Sequence, residues 1–304
     1  MQQTALAFHD ADDFVRGVSP LLELGAYEWL WAQPGATFKS LADKFRTRPD
    51  ALPSDFVPHT LAESTAREVL AKLASRGVER FGLTIHPTYE YPKELRDARH
   101  PVELLYHLGT WNLVETNAVA VVGTRKPSDD ALAETDALVR ALVAEEWTIA
   151  SGLAEGIDTR AHETTLAAGG RTIAVIGTPI SETYPRANAD LQRRIAEEFL
   201  VLSQVPVLRY FQQTWKHNRS FFPERNVTMS ALTLASVIVE AGDTSGTLFQ
   251  ARAAIQQGRK LFILDRCFEN PALKWPHEYE RQGAIRVRDH AEIVKALRDV
   301  HRGR

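Results

Sequence analysis

Residues 118–130 read AVAVVGTRKPSDD, five apolar positions followed by a glycine, a hydroxyl, two cations, a proline and a serine ahead of two acids. An apolar run without polar alternation is buried on both faces, and a glycine turn that opens a serine-capped helix makes it the strand-to-helix unit of a parallel sheet. The unit recurs downstream. Strand-like runs at Thr148–Ala150, Thr172–Ile176, Phe199–Ser203, Ser236–Val239 and Leu261–Leu264 alternate with helical spacing at Ser128–Glu146, Thr159–Ala168, Leu191–Glu198, Phe222–Leu234 and Thr247–Gln257. This alternation predicts an α/β fold with a doubly wound, mostly parallel sheet.

Upstream of Asn117 the texture changes. Leu21–Trp31 (LLELGAYEWLW), Phe38–Phe45 and Leu61–Leu73 carry apolar residues at helical spacing, separated by the proline- and serine-containing stretch Pro49–Pro58. A small, mostly helical N-terminal unit with its linker is expected over residues 1–112, with the α/β domain over 113–304 and the boundary near Trp111–Thr116. Ser64 is placed to cap the third helix and Gly77 to end it. The stretch His290–Arg304 predicts a terminal helix with a basic tail.

Composition narrows the function classes. The 304 residues are 44% hydrophobic and 25% charged, an ordinary globular balance with length for about two domains. Cys267 is the single cysteine, which excludes an intrachain disulfide framework and a cysteine-clustered zinc site. The opening segment MQQTALAFHDADDFVRG lacks a basic start followed by an apolar run, and no stretch reaches about 18 apolar residues, so a cytoplasmic protein without a membrane span is expected. Lys plus Arg is 36 against 39 for Asp plus Glu, so any polyanion site must be a local patch.

In α/β sheets ligands bind outside the carboxyl ends of the strands, where glycines allow close approach and helix N-termini aim N–H groups at anions. The first exit offers Gly123, Thr124, Arg125 and Lys126, and the second Ser151, Gly152, Gly156 and Asp158. The third offers Gly177 and Thr178, and a later one Glu240, Ser245, Gly246 and Thr247. Together they make a phosphate cradle with Arg125 and Lys126 as its charge; singly, each is a plain strand-to-helix turn. GxGxxG is absent after the first strand and GxxxxGK[ST] is absent throughout, so no ATP, NAD or other cofactor is expected.

Between Gln204 and Leu234, Arg209, Lys216, Arg219 and Arg225 are opposed only by Glu224 and interleaved with Tyr210, Phe211, Trp215, His217, Phe221 and Phe222. Cations track phosphates while bases stack on rings, a combination suited to single-stranded nucleic acid. The same rings could instead anchor a long loop to the core. Asp158 and His162, one turn apart, allow a base with its orienting partner, or Asp158 is a cap; Glu240 is an acid/base candidate or a loop holder. No HxxxH spacing occurs among the ten histidines, and no metal site is expected.

Several of these stretches, in this order, resemble the DNA-processing protein A family (DprA, also called Smf). The resemblance runs from about Tyr91 to Gly258 and rests on YPKEL with PVELLYHLG, VVGTRKPS, SGLAEGIDTRAH, GGRTIAVIGTP followed by TYP, FPERN leading to MSAL, and VIVEAGDTSGTLFQARAAIQQGR. It implies an extended Rossmann-like domain beside a small N-terminal helical domain. It also implies a homodimer that binds single-stranded DNA and loads the RecA recombinase during natural transformation, with no established catalytic step. By position, Arg125 corresponds to the family's main phosphate-contacting arginine, the SGLAEGID loop lies beside it, Phe222 and Arg225 sit at the rim, and Asn226 lies near the backbone.

Three departures stand out. Val227 and Thr228 occupy the place of a further basic residue after Asn226. LDRCFENPALKWPHEYERQGA (264–284) replaces a proline-glycine turn and a glycine- and asparagine-rich segment, and the chain ends too soon for the C-terminal winged helix of many members. Two alternatives remain open. One is a nucleotide sensor of a bacterial defence or stress system, with a closed pocket lined by Ser151, Thr178 and Glu240. The other is a phosphoribohydrolase similar to the Lonely Guy family, whose glutamate after PGGxGT is missing here because Gly246-Thr247 is followed by Leu248 and Phe249. An open groove running from Arg125 toward Trp215 and Arg225 fits the polymer reading.

Overall fold

The computed structural model describes residues 17–301. The N-terminal residues 1–16, read above for a leader, and the end of the basic tail, 302–304, lie outside the described residues. Helices α1 (Pro20–Ala32), α2 (Phe38–Arg46) and α3 (His59–Ala74) come first, then strands β1 (Gly82–Ile85) and β2 (Leu104–Gly109). The alternating part follows as β3 (Ala118–Val122), α4 (Asp129–Ala144), β4 (Thr148–Ser151), α5 (Ile157–Ala167), β5 (Thr172–Ile176), α6 (Ala189–Glu198) and β6 (Leu200–Ser203). Three helices, α7 (Val207–Gln212), α8 (Trp215–Asn218) and α9 (Phe221–Ala231), lead to β7 (Ala235–Ile238), α10 (Thr247–Gln256) and β8 (Lys260–Leu264). The chain closes with α11 (Arg266–Glu269), α12 (Trp275–Arg281), β9 (Ile285–Val287) and α13 (His290–His301).

The fold is mixed α/β around a nine-stranded sheet of order β1-β2-β6-β5-β4-β3-β7-β8-β9. The pairings from β6 to β9 are parallel, while β1–β2 and β2–β6 are antiparallel. Successive strand side chains point to opposite faces, and β3 shows the result. Val119 and Val121 enter a core with Leu138 of α4, Ile157 of α5 and Ile293 of α13, whereas Ala120 and Val122 enter the other with Met229 of α9 and Ala251 of α10. Helices therefore cover both faces, which is why these strands read as unbroken apolar runs. The expected cap holds, since Ser128 accepts from the Ala131 N–H at 3.2 Å at the start of α4; Gly169, at φ +69°, carries the chain out of α5.

The structure revises two local expectations. Ser64 does not cap α3; the helix begins at His59, because Pro58 presents its carbonyl to the Leu61 and Ala62 N–H groups, and the Ser64 hydroxyl bonds back to Leu61 O at 3.0 Å inside the second turn. The stretch expected to be mostly helical also supplies β1 and β2, which extend the sheet. Their short runs, GLTI and LLYHLG, were masked by turns on either side. The N-terminal helices share the core of one sheet face, where Trp31 and Phe38 pack on Phe221 of α9 with ring centroids 6.3 and 5.9 Å apart. Among the described residues no helix is long and apolar enough to cross a membrane.

A buried carboxylate joins these helices to the segment after β6. Glu28 of α1 accepts from the Val207 and Leu208 N–H groups at the start of α7, at 2.6 and 2.9 Å, and from the Tyr106 hydroxyl. Those N–H groups have no partner inside their own helix, so the carboxylate caps α7 from a distant element. Burial pushes the Glu28 carboxyl up to about 7. A folded-state value above the ordinary 4.5 means that its contribution to stability is full below that value and is lost as pH rises toward 7. Glu28→Ala is expected to cost about 3 kcal/mol in urea unfolding, since buried donors lose their acceptor. The gap in Tm between wild type and variant should widen as pH falls from 7 to 4.5, and a constant gap would count against the carboxyl's titration.

Candidate nucleic-acid interface

Strands β4, β5 and β6 lie on one side of β3, and β7, β8 and β9 lie on the other, so the winding reverses between β3 and β7. At such a reversal the two outgoing loops diverge and leave a crevice beyond the carboxyl ends of the strands. A cavity of about 710 Å³ occupies that place, walled by the β3 exit with Thr124, Arg125 and Lys126 and by the β7 exit with Ser245, Gly246 and Thr247. The segment from α8 to α9 closes the third side with Trp215, Arg219 and Phe222.

The glycines serve packing more than ligand approach. A Cβ at Gly123 would stand 2.5 Å from Ile157 and 2.9 Å from the Glu240 carbonyl, so three elements meet there at backbone distance. Gly156, at φ +78°, lies against the Thr124 carbonyl. Gly177 gives Phe222 its berth, since a Cβ would meet that ring at 2.5 Å. Only the β7 exit differs: Gly242 and Gly246 line the cavity, and a Cβ at either would meet open space.

Arg225 and Asp158 form the floor. The Arg225 guanidinium donates to the carbonyls of Gly152 and Val175, the latter at 2.6 Å, and to Asn226 Oδ1 at 2.8 Å. Asn226 in turn donates to the Gly246 carbonyl at 3.0 Å, and Asp158 accepts from the Gly152 N–H at 3.1 Å. Burial lowers the Arg225 pKa to about 10, with Asp158 opposing that shift and the Arg125 cation adding to it. Burial likewise raises the Asp158 carboxyl, partly offset by Arg225. Arg225, expected at the rim, thus lies beneath the cavity as a cross-brace, only 5% exposed.

The exposed charge is of a different kind. Arg125 and Lys126 are exposed and line the cavity, and no carboxylate among the described residues pairs with either. Glu240 faces away from them. It accepts from the Ser128 N–H at 3.0 Å and lies 3.8 Å from Arg266, holding the start of α4. The loop-holder reading of Glu240 is the one its contacts match. Ser151 donates to the Val121 carbonyl and Thr178 to the Glu182 carbonyl, so neither they nor Glu240 wall the cavity. Lys216 is exposed on α8 outside the cavity lining.

The ring-rich segment divides in two. Tyr210, Phe211 and Phe221 turn inward toward the N-terminal helices, with Tyr210 and Phe221 centroids 6.3 Å apart. Trp215 and Phe222 turn outward and meet Tyr184, a residue that sequence reading quoted only as part of TYP. Tyr184 lies 4.8 Å from Trp215 and 5.5 Å from Phe222. Phe249, on the first turn of α10, was also missed as a site residue. Trp215 and Phe249 are each 45% exposed and Tyr184 38%, a large apolar investment left facing solvent on the cavity wall.

Asp158 and His162 are not a working dyad in this geometry. His162 Nδ1 lies 2.7 Å from the Thr172 hydroxyl, and burial holds its imidazole down to about 3, hence neutral. Thr228, at the place of the absent basic residue, is buried against Gln204. The segment after β8 forms α11 and α12, where Trp275 and Tyr279 are buried and the Tyr279 hydroxyl donates to the Leu248 carbonyl at 3.3 Å. Among the described residues no cluster of His, Cys, Asp or Glu could hold a metal ion.

Cations with no carboxylate partner among the described residues and exposed rings line the switch point of a mostly parallel sheet, an arrangement able to hold an anionic, ring-bearing ligand. Residues 82–298 match the family model described as DNA recombination-mediator protein A, and the chain belongs to that family. It is 39% identical to Protein Smf of Synechocystis over 179 residues, which is 58% of this chain and 44% of that protein. It is 33% identical to DNA processing protein DprA of Streptococcus pneumoniae over 204 residues, 67% of this chain and 70% of that protein. The chain thus spans less than half of the first relative. The crystal structure of the Streptococcus pneumoniae protein aligns with a TM-score of 0.64 at 26% identity, covering 92% of this chain and 93% of that one. A DNA processing protein A from Helicobacter pylori aligns with a TM-score of 0.61 at 25% identity, covering 72% and 96%.

The cross-brace is testable apart from any ligand. Arg225→Met should cost about 3–5 kcal/mol in denaturant unfolding, because Asp158 is left buried without its counter-charge. Arg125→Ala, at an exposed position, should shift stability by less than about 0.5 kcal/mol. Equal small losses would show that Arg225 braces nothing.

Proposed function

We propose that the protein binds single-stranded DNA in the crevice at the switch point of a doubly wound, Rossmann-like sheet. It acts as a binding protein with no catalytic step of its own. The observation that carries the reading is the make-up of the cavity wall: Arg125, Lys126 and Arg219 supply positive charge, and Tyr184, Trp215 and Phe222 supply faces for bases, with Trp215 and Tyr184 exposed to solvent. A closed pocket for a small nucleotide would need Ser151, Thr178 and Glu240 in its wall, and all three are engaged elsewhere. The Helicobacter pylori relative was solved for its mode of binding single-stranded DNA, which supports the same ligand class here. Cations bind the backbone whatever its sequence and rings accept any base, so the reading entails little sequence preference. On this reading the protein works in the cytoplasm, in DNA processing or recombination, and hands a coated strand to a RecA recombinase as a homodimer.

Fluorescence anisotropy of labelled single- and double-stranded oligonucleotides across a salt series tests it. Single strands should bind preferentially, with log affinity falling by about 0.7 per phosphate contact for each decade of salt. Arg125→Ala should lower affinity at least about tenfold and flatten that slope, because a charge-assisted phosphate contact is lost. Trp215→Ala should weaken binding by about 1–3 kcal/mol with the slope unchanged, since stacking releases no counterions. An unaltered Kd for Arg125→Ala would sink the assignment.

A further inference from the structure

We propose that a strand leaving the cavity continues past Tyr184 onto the end of α3, where Lys72 and Arg76 take further phosphates, so that the N-terminal helical unit is part of the DNA path. This inference rests on the single-stranded DNA reading above. Tyr184 lines the cavity and touches both Trp215 and Phe222, and Glu182, two residues earlier and so at most about 7 Å away along the chain, pairs with Arg76 at 3.5 Å. The Arg76 guanidinium lies 4.8 Å and the Lys72 ammonium 5.0 Å from the centroid of the same Phe211 ring. One ring of α7 therefore holds two cations, Lys72 in the last turn of α3 and Arg76 two residues beyond its end, and Arg76 reaches the loop that carries Tyr184.

The arrangement is more than loop anchoring. Tyr210 and Phe221 already tie this segment to the core, and Glu28 caps α7. No carboxylate among the described residues pairs with Lys72. Arg76 has only a long contact, 3.5 Å, to Glu182, and its own side chain is 47% exposed, so its remaining donors are open to a phosphate. Ordering two long side chains on a ring before the ligand arrives lowers the entropy cost of binding. The polymer, held at Arg125 and stacked along Trp215 and Tyr184, meets these cations next if it runs in that direction, and a mononucleotide does not reach them.

Length dependence of binding tests the track, with oligothymidylates of about 5 and about 20 nucleotides, the shorter confined to the cavity. The double variant Lys72→Ala/Arg76→Ala should leave the short strand's Kd unchanged. For the long strand it should weaken binding about tenfold and reduce the salt slope by about 0.7 for each cation removed. Glu182→Gln should tighten the long strand alone by about threefold, since Arg76 is released from its competitor. Should the double variant leave long-strand affinity and slope unaltered while Arg125→Ala abolishes binding, the track is wrong and the cavity reading stands. Equal weakening of both lengths also rejects the track, because the change then reaches the cavity. If the wild type binds neither length, the single-strand reading fails and the track fails with it.

Discussion

The guanidinium of Arg225 is where the exits of several strands are fastened together. From α9 it reaches the carbonyls after β4 and within β5, and through Asn226 it reaches the loop after β7, while Asp158 at the start of α5 supplies its counter-charge. A buried cation is tolerated only when its donors are satisfied and a carboxylate is near, and satisfying it draws those loops to fixed positions. The crevice above inherits its shape from that requirement. Gly152 shares the constraint, because a Cβ there would stand 2.2 Å from the guanidinium.

Charge in the site is consequently sorted by depth. Arg225 and Asp158 neutralise each other below, and Glu240 is spent on Ser128 and Arg266, so neither carboxylate opposes an anion above. Arg125, Lys126 and Arg219 remain exposed around the opening. The net charge of −3 therefore coexists with exposed positive charge gathered at this edge.

The N-terminal helices bear on the site through packing. Trp31 and Phe38 seat Phe221, the first residue of α9, and the next residue, Phe222, thereby points outward into the cavity wall. Glu28 fixes the start of α7 and so the direction in which the chain reaches Trp215. The outward rings depend on the inward ones, which explains why both uses of aromatic residues occur within one short segment.

Much of this was legible in the order of residues. Unalternating apolar runs such as AVAVV must be buried on both faces, so the mostly parallel sheet, its helices and the carboxyl edge of the strands follow from pattern alone, as do Arg125 and Lys126 as residues of that edge; Phe222 was placed beside them by the family resemblance. β1 and β2 were not legible, because they gain strand character by pairing with β6, a partner remote in sequence. Nor was the fate of Arg225, which reads as one more cation in a basic stretch until the fold sets carbonyls of β4 and β5 around it. Tyr184 and Phe249 joined the site for the same reason. Local sequence determines which side chains can bury and which elements form; which charges end up paired beneath the cavity and which stay free above it depends on long-range contacts that exist only once the sheet is assembled.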